Sequence, residues 1–247
     1  RFAYVQKSDG MVSVQRRSSD NQTAFDPNKP NNQSNVSGRW IDTMVTVRGG
    51  SALYYNLNGK LTDVYDTKDR VALGQPYPTV VGGMTNIFRY KGFDLTVLVN
   101  FSVGNSLYDD AAKRQVGAVS FRWNQRVNET EMRWKKDGDD ASVPRLSLTE
   151  NRDINIDRWL YDGSFVRVRQ ITLGYRLPQS LLESIGLTNV RIYATASNPF
   201  TFTKYPGWDP EVQRDQYGAQ GANLGASVTY LTPPQAQGFT FGLNVGF

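Results

Sequence analysis

Two pairs of adjacent carboxylates, Asp109-Asp110 and Asp139-Asp140, are the residues whose types could support acid–base chemistry. Neighbouring residues of an extended chain point in opposite directions, so neither pair can direct two carboxylates at one bond of a substrate. The chain contains no His and no Cys, which excludes His- or Cys-dependent nucleophiles and imidazole or thiolate metal sites within its 247 residues. The sequence therefore predicts no enzyme activity, no metal site and no cofactor.

The composition favours an all-β fold with many turns, because aromatic residues make up 12% of the chain and glycines number 22. The net charge of +5 comes from scattered Lys and Arg, and the basic pair Arg16-Arg17 has no interleaved aromatic residues. We therefore expect no nucleic-acid partner. No run approaches the roughly 18 apolar residues of a membrane helix. Averaged hydropathy does not detect the strands of a membrane barrel, however, because these strands alternate apolar and polar residues.

The stretch from Gly238 to Phe247 alternates strictly between apolar residues and Thr, Gly or Asn. Its apolar residues are Phe239, Phe241, Leu243, Val245 and Phe247. This period of two predicts a β-strand with one apolar and one small or polar face. About ten residues is also the length of a tilted strand that crosses a bilayer. The stretch alone leaves two interpretations open, a strand of a membrane barrel and the last strand of a soluble sandwich.

The segment from Val80 to Val103 is predicted to form a β-hairpin around Lys91-Gly92. A two-residue turn there places Tyr90 opposite Phe93 on one face. The second strand continues that face with a row of apolar residues, Leu95, Val97, Val99, Phe101 and Val103. Both predicted strands are about 11 residues long, whereas strands of soluble proteins average roughly 5–6. This length favours a membrane barrel over a soluble sandwich.

A further long strand is predicted from Ser164 to Leu177. Simple counting places Arg167 and Arg169 on the same face as the apolar residues Ile171, Leu173 and Tyr175. Two explanations remain open at this point. Either the arginines lie above the bilayer, or a bulge near Gln170 switches the faces of the strand.

Long polar stretches separate the predicted strands, at residues 16–38, 107–158 and 204–237. The second of these is expected to hold a short helix near Asp110 to Val116. A turn or two of helix is predicted from Pro178 to Gly186, and a strand from Val190 to Ala196. Short connections thus alternate with long ones, as in outer-membrane barrels with short periplasmic turns and long external loops.

Three collinear stretches carry a family resemblance. The first is Leu73-Gly74-Gln75-Pro76-Tyr77-Pro78, followed by Gly82-Gly83-Met84-Thr85-Asn86 and Tyr90-Lys91-Gly92-Phe93-Asp94-Leu95. The second is Trp159-Leu160-Tyr161-Asp162-Gly163-Ser164-Phe165-Val166-Arg167-Val168-Arg169, followed by Ile171-Thr172-Leu173-Gly174-Tyr175. The third is Asn198-Pro199-Phe200, Thr203-Lys204-Tyr205 and Gly207-Trp208-Asp209-Pro210-Glu211. Together they resemble the C-terminal third of SusC/RagA-type TonB-dependent outer-membrane transporters of Bacteroidota, whereas residues 1–72 match only weakly.

The resemblance implies an antiparallel transmembrane β-barrel of about 22 strands, of which residues 1–247 are the C-terminal portion. A plug domain and a TonB box would lie outside this segment. The segment would pair with the remainder of the barrel, because open sheet edges are not tolerated in lipid. The implied location is the outer membrane of a Gram-negative bacterium. The implied partners are the lipid bilayer, a SusD-like surface lipoprotein and the TonB complex.

The expected function is nutrient import, of oligosaccharides or peptides. A structural SusC-like barrel within a larger assembly is the alternative, and a soluble all-β binding module is a third possibility that the long hairpin disfavours. Phe239, Phe241, Leu243, Val245 and Phe247 resemble the C-terminal signal that the barrel-assembly machinery reads. The candidate contacts to substrate or lipoprotein are the aromatic residues of the polar stretches, Trp123, Trp134, Tyr205 and Trp208. Arg167 and Arg169 are candidate cations of the lumen or of the lipid headgroup layer.

Overall fold

The computed structural model describes residues 1–17, 40–64, 70–117, 127, 131–147, 156–183, 186–211 and 227–247. The chain forms two compact units. The first comprises Arg1–Leu73 and Asp110–Leu160, and the second comprises Gly74–Asp109 and Tyr161–Phe247. No helix in the described ranges is long and apolar enough to span a membrane.

The first unit contains two small antiparallel sheets. One sheet has the strand order β1-β4-β5 and the other pairs β2 with β3. The strands are β1 (Phe2–Val5), β2 (Gly10–Arg17), β3 (Trp40–Val47), β4 (Ala52–Tyr55) and β5 (Leu61–Thr62). Val14, Val47 and Leu53 form the buried core, whereas Met11 and Met44 on the β2–β3 pair are exposed. The alternation of buried and exposed residues follows the period of two that a strand imposes.

Two short helical stretches are present among the described residues of the first unit. The helix predicted near Asp110 is present as α1 (Asp110–Ala112), which continues as a π-helical turn over Lys113–Gly117. A 3-10 turn spans Asp157–Trp159 and buries Trp159.

The second unit is dominated by a five-stranded antiparallel sheet with the order β13-β11-β10-β7-β6. Its strands are β6 (Val80–Tyr90), β7 (Phe93–Val103), β10 (Phe165–Arg176), β11 (Asn189–Thr203) and β13 (Gly238–Gly246). A smaller sheet has the order β12-β8-β9, with β8 (Ser106–Asp109), β9 (Leu160–Asp162) and β12 (Val228–Thr229). The predicted helix after Pro178 is the single turn α2 (Gln179–Leu182). The prediction of an all-β, antiparallel fold is confirmed.

The predicted hairpin is present with the expected register. Tyr90 pairs with Phe93, and the pairing continues without a shift to Val80 and Val103. The two turn residues have positive φ angles, 45° for Lys91 and 86° for Gly92. A two-residue turn of this conformation matches the right-handed twist of the strands that it joins.

A bulge in β10 decides between the two explanations left open for the arginines. The register with both neighbouring strands shifts between Val168 and Gln170, which leaves Arg169 without an opposite residue. The extra residue reverses the alternation after Arg169. Val166 and Val168 therefore share a face with Ile171, Leu173 and Tyr175. The bulge near Gln170 is the correct explanation, and it turns Arg167 away from the apolar residues.

Strand β11 is longer than the predicted Val190–Ala196, because it continues to Thr203 through Asn198-Pro199. Asn198 adopts a φ of 51°, and the register with β10 shifts at this point. A Pro is tolerated in a sheet where an irregularity releases its position from the hydrogen-bond ladder.

All long connections of the five-stranded sheet leave from the same end. The turn Lys91-Gly92 and the connection 177–188 lie at one end, which we call the turn end. The connections that begin after Val103 and Thr203 leave from the opposite end, where the chain also enters β6, and we call this the loop end. This is the asymmetry that the polar stretches predicted.

Candidate functional site

One face of the five-stranded sheet, the apolar face, is almost entirely hydrophobic. Register places Phe88, Leu95, Leu173, Ala194 and Phe241 side by side across all five strands. Phe88, Leu173 and Phe241 in this row are exposed to 60%, 50% and 80%. An exposed apolar surface that extends over five strands is unusual for a soluble protein and typical of a surface that contacts lipid or another chain.

The opposite face, the polar face, is a ladder of hydrogen-bonding groups. Thr96, Thr172, Thr195 and Thr240 lie side by side on four strands. The Oγ1 atoms of Thr172 and Thr195 are 2.9 Å apart, within hydrogen-bond distance. A sheet with one apolar and one hydroxyl-rich face is suited to a boundary between an apolar and an aqueous environment.

An ion pair joins β11 to β7 on the polar face near the turn end. Arg191 donates through Nε to Oδ1 of Asp94 at 2.9 Å and through Nη2 to Oδ2 at 2.5 Å. The guanidinium passes over Gly174 on the intervening strand, where a Cβ atom would lie 2.7 Å from Cζ of Arg191. Glycine at this position therefore gives the arginine its path across β10.

A second group of charges lies on the polar face at the loop end, and we call Arg167, Arg169, Asp209 and Glu211 the clamp. Arg167 is only 2% exposed and donates through Nη2 to Oδ1 of Asp209 at 2.5 Å. Its Nη1 atom is 3.3 Å from Oε2 of Glu211, and the other carboxylate oxygen of Glu211 binds Arg169. Both arginines thus bind carboxylates of the β11–β13 connection.

Asp209 is the central acceptor of the clamp. Its Oδ1 also accepts from the backbone N–H of Glu211, and its Oδ2 accepts from the backbone N–H of Gln235, both at 2.9 Å. Burial alone would raise the pKa of Asp209, but the hydrogen bonds from Arg167 and from these two N–H groups outweigh it and hold the pKa below its usual value. The carboxylate therefore stays charged at neutral pH and ties three chain segments together.

The predicted contact residues occupy different environments. Trp134, in the first unit, packs its ring against Gly49 and Gly50 and donates through Nε1 to the carbonyl oxygen of Lys7 at 2.7 Å. Tyr205 is 7% exposed and its hydroxyl is within hydrogen-bond distance of Asp109 Oδ2 and Thr229 Oγ1. Trp208 is 81% exposed, and Trp123 lies outside the described residues. Of the three described aromatics, Trp208 is exposed, Trp134 is half-buried and Tyr205 is buried.

The carboxylate pairs that opened the sequence analysis have separate partners. Asp110 binds Lys113 at 2.6 Å and Arg114 at 3.3 Å. Asp139 accepts backbone N–H groups of Lys135 and Lys136 at 3.0 Å, and Asp140 pairs with Lys7 at 3.3 Å. Within the described ranges, no group of three or more potential metal ligands of the His, Cys, Asp or Glu type is present.

Sequence analysis assigned no role to Asp209 and Glu211, which lie in the polar stretch 204–237. One signal could have found them. Two arginines inside a strand with apolar neighbours need counter-charges, and the Asp209-Pro210-Glu211 stretch offers two carboxylates at the loop end, where both arginines lie.

Comparison with known proteins gives a consistent result. A curated TonB-dependent receptor of Formosa agariphila is 33% identical over 198 residues, which are 80% of this chain and 19% of that protein. The TonB-dependent receptor SusC of Bacteroides thetaiotaomicron is 28% identical over 215 residues, 85% of this chain and 18% of that protein. No family model matches the chain.

Solved structures share the fold. The RagAB peptide transporter matches with a TM-score of 0.63 at 24% identity and covers 80% of this chain and 21% of its own. The RagAB peptide importer in the open-open state matches with a TM-score of 0.62 at 19% identity, over 100% of this chain and 27% of its own. The chain spans about a fifth of the length of these relatives. It is thus a homologue of the SusC/RagA-type TonB-dependent outer-membrane transporters.

Proposed function

We propose that the chain is the C-terminal portion of the barrel wall of an outer-membrane importer that takes up oligosaccharides or peptides. The observation that carries the proposal is the contrast between the two faces of the five-stranded sheet. The apolar face suits contact with lipid, and the polar face suits a water-filled lumen. The 33% sequence identity to a TonB-dependent receptor over 80% of the chain supports the same function.

The strand lengths fit a bilayer. Strands β6 and β7 have 11 residues each and β10 has 12, whereas a tilted membrane strand needs about 9–11. The long connections at the loop end would then lie outside the cell and the short ones in the periplasm. Strands β6 and β13 each have one neighbour in the described sheet. The remainder of the barrel would pair with their free edges, because an unpaired edge is not stable in lipid.

The proposed partners follow from the family. A SusD-like lipoprotein would bind at the loop end, and the TonB complex would act through a part of the protein outside this segment. The terminal residues Phe239, Phe241, Leu243, Val245 and Phe247 would be read during barrel assembly. The first four alternate with small and polar residues in β13, Phe247 directly follows the strand, and all five are exposed in the described structure.

Cysteine substitution in the complete transporter tests the membrane assignment. This segment contains no native Cys, and Leu243 and Asn244 are adjacent, exposed residues on opposite faces of β13. We expect a fluorophore at Leu243→Cys to be quenched by nitroxide-labelled lipids and one at Asn244→Cys to be unaffected. Equal quenching at both positions would contradict the assignment of the faces.

Uptake by intact cells tests the transport assignment. Cells with and without the complete transporter are given labelled oligosaccharides and labelled peptides, and a TonB-deficient strain provides the matched control. We expect uptake of one class that requires both the transporter and TonB. Normal barrel assembly without uptake of either class would favour the structural alternative.

A further inference from the structure

We propose that the clamp holds Trp208 in a fixed position and that Trp208 is a stacking platform for a sugar ring of the transported molecule. The proposal rests on the import function above and assigns oligosaccharides to it. The clamp residues Arg167, Asp209 and Glu211 are positioning residues in this proposal, and Trp208 is the residue that contacts the ligand.

The segment around Trp208 is anchored on both sides. Tyr205 is held by its hydrogen bonds to Asp109 and Thr229, at 3.1 and 2.9 Å. Asp209, the residue after Trp208, is buried and bound to Arg167 and Gln235. Only three residues separate these two fixed points, and a short stretch of chain between fixed ends has few conformations.

Local backbone constraints restrict the segment further. Pro206 and Pro210 flank Trp208 at two residues on either side, and each proline ring limits φ to about −65°. Gly207 packs against the ring of Tyr205, where a Cβ atom would overlap the aromatic carbons. An exposed indole on such a segment loses little conformational entropy when it binds a ligand, which favours affinity.

The anchoring places the segment on the aqueous side of the sheet. Arg167 lies on the polar face, as its cross-strand neighbours Asn100 and Thr201 do. Because Asp209 binds Arg167, the chain at Trp208 approaches the polar face and leaves the apolar face uncovered. A role for Trp208 as a lipid anchor would require the opposite placement.

The surroundings of Trp208 favour a sugar ring as the ligand. Between Tyr205 and Glu211, Trp208 is the one exposed aromatic residue, since Tyr205 is buried. A protein interface surrounds its anchor residues with a packed patch of contacts. A single exposed flat ring instead fits a pyranose, which offers an apolar C–H face and hydrogen-bonding edges.

The test uses the complete transporter in detergent, a panel of neutral plant and marine hexasaccharides and a matched panel of peptides. We expect at least one hexasaccharide to bind and Trp208→Ala to weaken its binding by about tenfold or more. Trp208→Phe should restore most of the affinity, because it keeps an aromatic ring. Leu231→Ala, at an exposed apolar residue of the same connection, should have no effect.

The clamp is tested by a double-mutant cycle. Asp209→Asn should weaken hexasaccharide binding, and it should have little further effect in the Trp208→Ala background if it acts through Trp208. Equal losses in both backgrounds, or a change of less than twofold in Trp208→Ala, would refute the proposal. Binding of peptides without any hexasaccharide would also refute it and leave the import function standing, whereas no binding and no uptake of either class would refute both.

Discussion

Removal of the buried cation of the clamp is the perturbation whose outcome the structure specifies best. In Arg167→Met the carboxylate of Asp209, whose side chain is 4% exposed, would lose its only side-chain donor in the clamp and keep two backbone N–H donors. Breaking a buried ion pair by removing one partner destabilises proteins by about 3–5 kcal/mol. Because two of the three donors remain, we expect the lower end, about 3 kcal/mol. This corresponds to roughly a hundredfold change in a local opening equilibrium.

Hydrogen exchange measured by mass spectrometry on the complete transporter is a suitable assay. The backbone N–H groups of Glu211 and Gln235 both bind Asp209, so their peptides report opening of the clamp. We expect exchange at these peptides to accelerate about a hundredfold in Arg167→Met. Exchange in the β6–β7 hairpin should not change.

Two comparisons make the result interpretable. The double variant Arg167→Met with Asp209→Asn removes the unpaired charge and should recover part of the protection. Arg191→Met breaks the ion pair to Asp94 at the turn end, where both side chains are 20% exposed, and should leave the Glu211 and Gln235 peptides unchanged. If Arg167→Met exchanged within threefold of the unaltered protein, the ion pair would not be what holds the connection on the polar face.

Four further outcomes are expected. Because the pKa of Asp209 is lowered in the folded chain, its contribution to stability is present above its unfolded pKa of about 3.9 and is lost as pH falls through the folded value. Protection at Gln235 should therefore persist from neutral pH to about 4 and decline below that. Ile171→Lys, on the apolar face, should reduce barrel stability in lipid vesicles by about 2–4 kcal/mol in urea titrations, whereas Gln170→Lys, its exposed neighbour on the polar face, should have little effect. Gly174→Val should displace Arg191 from Asp94 and lower stability in the same titrations by about 1–3 kcal/mol, a loss that Arg191→Ala should not increase. Phe247→Ser should reduce the amount of assembled barrel in outer-membrane fractions, and unchanged assembly would contradict the proposed C-terminal signal.

The elements that sequence reasoning located correctly are those whose information is local. The hairpin of β6 and β7 was predicted with its turn residues, because period-2 alternation and a two-residue Lys-Gly turn determine both register and face. The terminal strand was predicted for the same reason. The predicted ends of β10, Ser164 and Leu177, each lie one residue from the observed ends, Phe165 and Arg176, since apolar alternation continues almost to Leu177.

The positions that sequence reasoning left open depend on neighbouring strands. The alternation in β10 breaks between Val168 and Gln170, which allowed either a bulge or a strand that rises above the bilayer. The bulge occurs because β7 and β11 both pair with β10 on each side of Arg169 and leave that residue without a partner. Such a choice is made by two flanking strands together and cannot be read from one strand.

The sequence by itself determined the hairpin of β6 and β7, the terminal strand and their two faces, the separation of long and short connections, and the absence of His and Cys chemistry. These features follow from side-chain period and residue inventory. Only the tertiary structure decided that Arg167 binds Asp209, 42 residues further along the chain, and that Tyr205 is buried while Trp208 is exposed. The physical reason is that burial and ion pairing are properties of contacts between distant segments, and the sequence of either segment alone is compatible with several partners.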